Sequence, residues 1–122
     1  MSSVLLSNAE GSLTTSAAIE PQRFVTIHGS GLAAYPANTD TPVGVSRDRA
    51  ASGGVVRYRH TNAPGWQQVS ASKAIAINTV VYLATNGQIT DSAAGSPTKI
   101  GISRTAAAAA NDVIFVQTYL PA

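Results

Sequence analysis

Residues 76–90, AINTVVYLATNGQIT, decide the fold. An apolar run rich in β-branched residues at 80–84 is followed, after a short turn, by a second run at 88–91. The turn contains the pair Asn86-Gly87, whose residues tolerate the positive φ angles of a type I′ hairpin. The stretch therefore predicts two antiparallel strands joined by a tight turn.

Short apolar runs of the same kind occupy most of the chain, separated by Gly, Pro, Asn and Ser. Helical periodicity is missing, and the alanine run at 106–110 is long enough for one or two helical turns at most, so it is predicted as a loop. Predicted strands lie at residues 24–28, 32–35, 43–47, 55–60, 74–77, 80–84, 88–91, 99–104 and 113–120.

A short motif occurs twice. Residues 44–47 are Gly-Val-Ser-Arg and residues 101–104 are Gly-Ile-Ser-Arg. A glycine hairpin precedes each copy and a small-residue loop follows it, which predicts pseudo-repeats at 23–60 and 79–119. The expected fold is all-β, a small barrel or sandwich of about 8–10 short strands built from two pseudo-repeated halves. A chance match is the alternative.

The first 20 residues are small and polar, apart from Val4, Leu5 and Leu6. We interpret residues 1–20 as an extended N-terminal arm and residues 21–122 as a single β domain. An arm of this kind can add a strand to a partner's sheet, whereas the alternative is a terminus with no role. The apolar stretch is too short for a signal peptide.

Composition narrows the classes of function. The chain has 122 residues and no cysteine, which excludes disulfides and thiolate catalysis. Only 11% of residues are charged, and a sparsely charged surface favours a protein that is covered in an assembly. The net charge of +2 comes from scattered residues, so we expect no nucleic-acid partner, and no apolar run is long enough for a membrane helix.

Catalytic and metal-binding patterns are weak. The six acidic residues include no closely spaced pair, which leaves a glycosidase pair as a remote alternative. His28 and His60 lie at the ends of predicted strands without neighbouring ligands. Residues 29–34 match G-x-G-x-x-A, but Tyr35-Pro36 follows where a helix would be needed, so they predict a hairpin. We predict no enzyme activity and no catalytic, cofactor-binding or metal-binding residue.

Three residues of the β domain are candidate contacts with a partner. Arg57 and Arg59 share one face of a predicted strand, which is either a solvated face or a docking face for an acidic partner. Trp66 is either a core residue or an interface anchor. The candidates in the arm are Val4, Leu5, Leu6 and Asn8.

A family resemblance rests on residues 76–90, on Ile-Gly-Ile-Ser at 100–103 and on Asp-Val-Ile-Phe-Val at 112–116. Together with the first half, from Arg-Phe-Val at 23–25 to Val-Gly-Val at 43–45, they resemble the small decoration, or cement, proteins of tailed-phage capsids. The chain departs from the family pattern at Asn111, where glycine is common, and in an insert around residues 64–66.

The resemblance implies a structural virion protein on the capsid exterior that binds the outer surface of the assembled capsid and bridges neighbouring subunits. Its implied partners are the major capsid protein and itself, as a homotrimer, and no cofactor is implied. Two alternatives stay open. One is a head-fibre or tail component, and the other is a β-sandwich module that binds carbohydrate or a host surface.

Overall fold

A computed structural model describes residues 10–61 and 65–118. These residues form ten β-strands and one short 3₁₀ turn at Thr85–Gly87. In chain order the strands are β1 (Glu10–Thr14), β2 (Phe24–Ile27), β3 (Ala33–Ala34), β4 (Gly44–Ser46), β5 (Val55–His60), β6 (Gln67–Ser70), β7 (Val80–Leu83), β8 (Ile89–Thr90), β9 (Lys99–Ser103) and β10 (Val113–Thr118). The all-β prediction is confirmed.

The strands form two five-stranded antiparallel sheets with the same topology. The first sheet has the order β1-β5-β4-β2-β3, and the second has the order β6-β10-β9-β7-β8. Each strand of the second sheet thus occupies the place of the strand five positions earlier in the chain. This correspondence confirms the predicted architecture of two repeated halves.

Each sheet curls until its first and last strands meet. Thr15, just after β1, forms a parallel bridge with Ala33 of β3, and Ala71 forms the matching bridge with Ile89 of β8. The amide of Ser16 donates to the carbonyl of Ala33 at 3.0 Å. A sheet whose edges join in this way is a barrel, so the protein consists of a first barrel, residues 10–61, and a second barrel, residues 65–118.

The serine of the repeated motif has the same structural role in both barrels. The Ser46 hydroxyl accepts a hydrogen bond from the Arg23 amide at 3.0 Å and donates to the Glu20 carbonyl at 2.7 Å. The Ser103 hydroxyl accepts from the Thr79 amide at 3.0 Å and donates to the Ala76 carbonyl at 2.7 Å. Both serines are buried, and each connects the loop before β2 or β7 to the barrel wall.

Two strands were not predicted, and one of them corrects the predicted arm. Residues Glu10–Thr14 form β1 and all five pair with β5, although they fall within the predicted arm of residues 1–20. The second strand that was not predicted is β6, Gln67–Ser70. Both strands are mostly polar, so they lack an apolar alternation, and pairing with the long strands β5 and β10 orders them. Residues 74–77, predicted as a strand, contribute only the bridge of Ile75 to Ala107.

The barrels share part of their core. Within the described residues, one apolar cluster lies inside the first barrel and includes Ile19, Val25 and Tyr58. The other fills the second barrel but also contains Phe24 and Val45, which belong to the first. Two first-barrel side chains thus help to fill the second barrel.

The predicted hairpin is present between β7 and β8. Asn86 has a φ of 58° and Gly87 a φ of 71°, which are the two positive angles that a type I′ turn requires. A side chain at Gly87 would overlap the carbonyl oxygen of Phe24. The second barrel's hairpin therefore lies directly on the backbone of the first barrel.

We predict that Ser103→Ala lowers the free energy of unfolding by about 1–3 kcal/mol, because it leaves the Thr79 amide and the Ala76 carbonyl without their side-chain partner. Ser46→Ala has a comparable effect, since its contacts are equivalent. Urea unfolding followed by circular dichroism measures both. The control is Ser12→Ala on the exposed face of β1, and an equal loss in that variant would contradict the assigned role of the motif.

Candidate partner-binding surface

The outward face of β10 is apolar. Along this strand Ile114 and Val116 point into the second barrel and are buried, whereas Val113 and Phe115 point outward and are 48% and 40% exposed. An exposed phenylalanine beside an exposed valine on one strand face is a local apolar patch, and such patches on soluble proteins often mark interaction sites.

Trp66 extends this patch. It lies just before β6, the neighbour of β10, and 51% of its surface is exposed. Its ring centroid lies 6.3 Å from that of Phe115 with the rings tilted by 58°. This arrangement falls within the range of favourable aromatic pairs. We name the set Trp66, Val113 and Phe115 the aromatic patch.

A cleft of about 210 Å³ opens beside the aromatic patch, at the junction of the two barrels. The buried Gln67 forms part of its floor, held by a 2.9 Å hydrogen bond from its side-chain amide to the carbonyl of His60. Arg47 and Arg59 line the cleft, and none of its described lining residues is acidic. The lining residues are Gln22, Val45, Ser46, Arg47, Arg59, Trp66, Gln67, Gln68 and Phe115.

The matching face of the first barrel has a different chemistry. The topology aligns Arg57 of β5 with Phe115 of β10. The Arg57 guanidinium donates to the Asp48 carboxylate at 2.7 Å, and Arg47 pairs with Glu10 close by. One barrel therefore carries paired charges where the other carries the aromatic patch.

The ion pair between Arg57 and Asp48 also shifts the pKa values of both residues. The hydrogen bond from Arg57 lowers the pKa of the Asp48 carboxyl below its ordinary value and raises the pKa of Arg57. Both side chains are largely exposed, at 63% and 45% for Arg57 and Asp48, so the pair contributes little to stability.

The structure brings two of the predicted contact residues together. Arg59 and Trp66 line the same cleft, and the core alternative for Trp66 is wrong because half of its surface is exposed. Arg57 lies outside the cleft and faces Asp48. The remaining candidates, Val4, Leu5, Leu6 and Asn8, lie outside the described residues.

Sequence reasoning missed Phe115 and Arg47. Strict alternation along residues 113–118 would have placed Phe115 on the outward face, because Ile114 and Val116 form the apolar inward set. No sequence pattern predicts that Arg47 lines the cleft, because the cleft forms only where the two barrels meet.

In residues 10–61 and 65–118, no group of three or more His, Asp or Glu side chains comes together in a way that could hold a metal ion. No helix in this part of the chain is long and apolar enough to cross a membrane.

Comparison with protein families shows the family of this chain. The family described as phage cement protein matches residues 7–118, which is nearly the whole chain. The chain belongs to this family. It is therefore a structural, capsid-associated phage protein of the virion exterior, as the resemblance implied. No curated protein matches this cement-family chain.

A solved structure has a fold similar to that of this cement-family protein. The crystal structure of the N base of the head fibre gp8.5 in bacteriophage phi29 is similar, with a TM-score of 0.73 and 14% sequence identity. The similarity covers 90% of this chain and 92% of that chain. At this level of identity the likeness shows a shared fold.

We predict that Arg57→Gln raises the pKa of Asp48 back toward the ordinary aspartate value of about 3.9. The folded-state pKa of Asp48 is depressed, so the stabilisation from this pair is present above the unfolded-state pKa and is lost as the pH falls through the folded one. A carbon-detected NMR titration of the carboxyl group measures the change. Arg49→Gln is the control, because Arg49 pairs with Glu20 instead; an equal shift there would refute the local cause.

Proposed function

We propose that this protein binds the outer surface of an assembled phage capsid and stabilises it by bridging neighbouring capsid subunits, without catalysis. The observation that carries the proposal is the aromatic patch beside the arginine-lined cleft, on a member of the cement family. Two half-exposed aromatic rings next to guanidinium groups form the kind of surface that dominates binding energy in protein interfaces.

The chemistry of the cleft supports an acidic and apolar contact on the capsid. Arg47, which also pairs with Glu10, and Arg59 line it, and the carboxamides of Gln22 and Gln68 offer further hydrogen bonds. A capsid loop with a carboxylate beside an apolar side chain would complement both parts of this surface. The candidate partner is the major capsid protein.

The stabilising effect follows from linkage. A protein that binds the assembled lattice more tightly than free subunits shifts the equilibrium toward the lattice by the difference in binding free energy. Occupation of many sites, and association of copies as a homotrimer, multiplies weak single contacts. The contact residues proposed from the sequence are Arg57, Arg59 and Trp66 of the β domain and Val4, Leu5, Leu6 and Asn8 of the N-terminal segment. The cleft and the aromatic patch add Arg47 and Phe115.

We predict that Trp66→Ala and Phe115→Ala each weaken binding to capsids at least about tenfold, which corresponds to about 1.4 kcal/mol. Purified capsids that lack the protein are mixed with each variant, and co-sedimentation measures the dissociation constant. The rise in the capsid's melting temperature on binding is measured in parallel.

Val55→Ala is the matched control for this experiment. Val55 is 62% exposed and takes the place of Val113 on the other barrel, away from the aromatic patch. Equal binding by wild type, Trp66→Ala and Phe115→Ala would refute the assigned surface, while bound protein that leaves the melting temperature unchanged would refute stabilisation.

A second candidate function, a head-fibre base, is favoured by the similarity to the N base of the phi29 head fibre. The two functions differ in copy number. A decoration protein is expected in numbers close to those of the major capsid protein, whereas a fibre base is expected in far fewer copies. Quantitative mass spectrometry of purified virions distinguishes them, and absence from the virion would contradict both and favour a carbohydrate-binding or host-surface module.

A further inference from the structure

The two barrels of one chain meet through unlike surfaces. The first barrel contributes an outward face, formed by the directly paired Phe24 and Val45, which we call the insertion face. Both side chains are buried in the apolar cluster of the second barrel, which includes Val69, Leu83 and Ile100. We call these last three residues the receiving face. A contact between two different faces of repeated units is heterologous.

A heterologous contact leaves one face of each kind unused at the ends of the chain. The second barrel has its own insertion face at Val80 and Ile102, which are paired as Phe24 and Val45 are. These two side chains are only partly buried, and Ile77 beside them is 55% exposed. The second barrel thus presents a partly exposed apolar insertion face.

The first barrel has the complementary free surface. Its equivalents of the receiving residues are Leu13, Ile27 and Val43. Ile27 is 45% exposed, whereas its counterpart Leu83 is fully buried, and Leu13 and Val43 are partly buried where Val69 and Ile100 are inaccessible. A side chain at Gly31 would meet nothing within 4 Å, whereas at the equivalent Gly87 it would overlap Phe24.

The backbone at the free ends has the geometry that the internal contact uses. Within the chain, the carbonyl of Gln22 accepts a 2.8 Å hydrogen bond from the amide of Ser70 on the receiving barrel. Gln22 has a φ of 56° and Asn78, its counterpart, a φ of 60°. The amides of both donate to the carbonyl of the motif serine, at 2.9 Å and 2.7 Å. The Asn78 carbonyl therefore has the backbone geometry of the Gln22 carbonyl. Thr14 occupies in the first barrel the position of Ser70, whose amide is the donor in the internal contact.

The side-chain volumes are also matched. Tyr58 occupies the core of the first barrel at the position that Val116 occupies in the second. A barrel already filled by a tyrosine has less room for an incoming ring. The free insertion face has Val80 in place of Phe24. The smaller side chain would therefore pack on the first barrel, whose core holds the larger Tyr58.

We propose that copies of this chain associate head to tail, with the insertion face of one copy's second barrel (Ile77, Val80 and Ile102) packed on the receiving face of the next copy's first barrel (Leu13, Ile27 and Val43). Repetition of this contact forms a closed ring when the rotation between copies allows closure. This inference specifies the contact behind the proposed homotrimer, and it uses a surface separate from the aromatic patch.

The test uses two variants, each of which removes one face. Ile102→Glu abolishes the insertion face and Ile27→Glu abolishes the receiving face. Light scattering coupled to size exclusion, at protein concentrations up to about 1 mM, which approaches the effective concentrations of tethered sites, measures the mass. Wild type is expected to form a ring of at least three copies and each variant a monomer of 12.5 kDa.

The decisive sample is the equimolar mixture of the two variants. It retains one intact insertion face and one intact receiving face, so head-to-tail contact predicts a one-to-one heterodimer that neither variant forms alone. A two-fold symmetric contact would leave the mixture monomeric. Ala94→Glu, at an exposed position in the loop between β8 and β9 that belongs to neither face, is the control and is expected to form the wild-type ring.

Three results would overturn the proposal: a monomeric wild type, variants that assemble as wild type does, or a mixture that stays monomeric. Circular dichroism and thermal melting of each variant show that it is folded. Since the experiment contains no capsid, its failure would leave capsid binding through the aromatic patch unaffected, and failure of capsid binding would leave the ring unaffected.

Discussion

Insertion of Phe24 and Val45 into the apolar cluster of the second barrel is the interaction on which the rest of the structure depends. A barrel of five short strands encloses few side chains, and its open end exposes apolar residues to water. In the second barrel that end is covered by the first, which leaves Leu83 and Ile100 inaccessible. Burial at this junction stabilises both units because apolar area is removed from each, at about 25 cal/mol per Å².

The same junction creates the cleft. Its lining includes Val45 and Arg59 from the first barrel and Trp66 and Phe115 from the second, so it exists only while the barrels stay in contact. The two barrels differ in the chemistry of their outer faces. Arg57 of the first barrel forms an ion pair with Asp48. Phe115 occupies the equivalent position in the second barrel. The same topology thus carries paired charges on one unit and the aromatic patch on the other.

Near-closure of the sheets also bears on how this protein can associate. Addition of a strand from a partner's arm requires a free sheet edge. In the described part of the chain, bridges at Thr15 and Ala71 join the terminal strands of each barrel, and the amide of Ser70 on the edge of β6 donates a hydrogen bond to the carbonyl of Gln22. Side-chain packing between barrel faces is therefore the mode of association that this architecture favours.

Local chemistry explains why so much of the fold was predictable. The Asn86-Gly87 turn, the short β-branched runs and the repeated Gly-x-Ser-Arg motif each depend on the properties of a few neighbouring residues, and they predicted the hairpin, the strands and the repeated topology. A further signal was available in Ser-Ala-Ala-Ile at 16–19, which matches Ser-Lys-Ala-Ile at 72–75. It would have extended the repeat into the residues that we assigned to an arm.

The sequence by itself therefore determined the strand-rich composition, the hairpin and the two-fold repetition, because these follow from backbone preferences and spacing over a few residues. Only the tertiary structure decided that β1 and β6 are strands, that Trp66 lies beside Phe115, and that Arg47 and Arg59 reach one cleft. Each of these depends on contacts between residues far apart in the chain, and the polar residues involved carry no apolar pattern that would predict their neighbours.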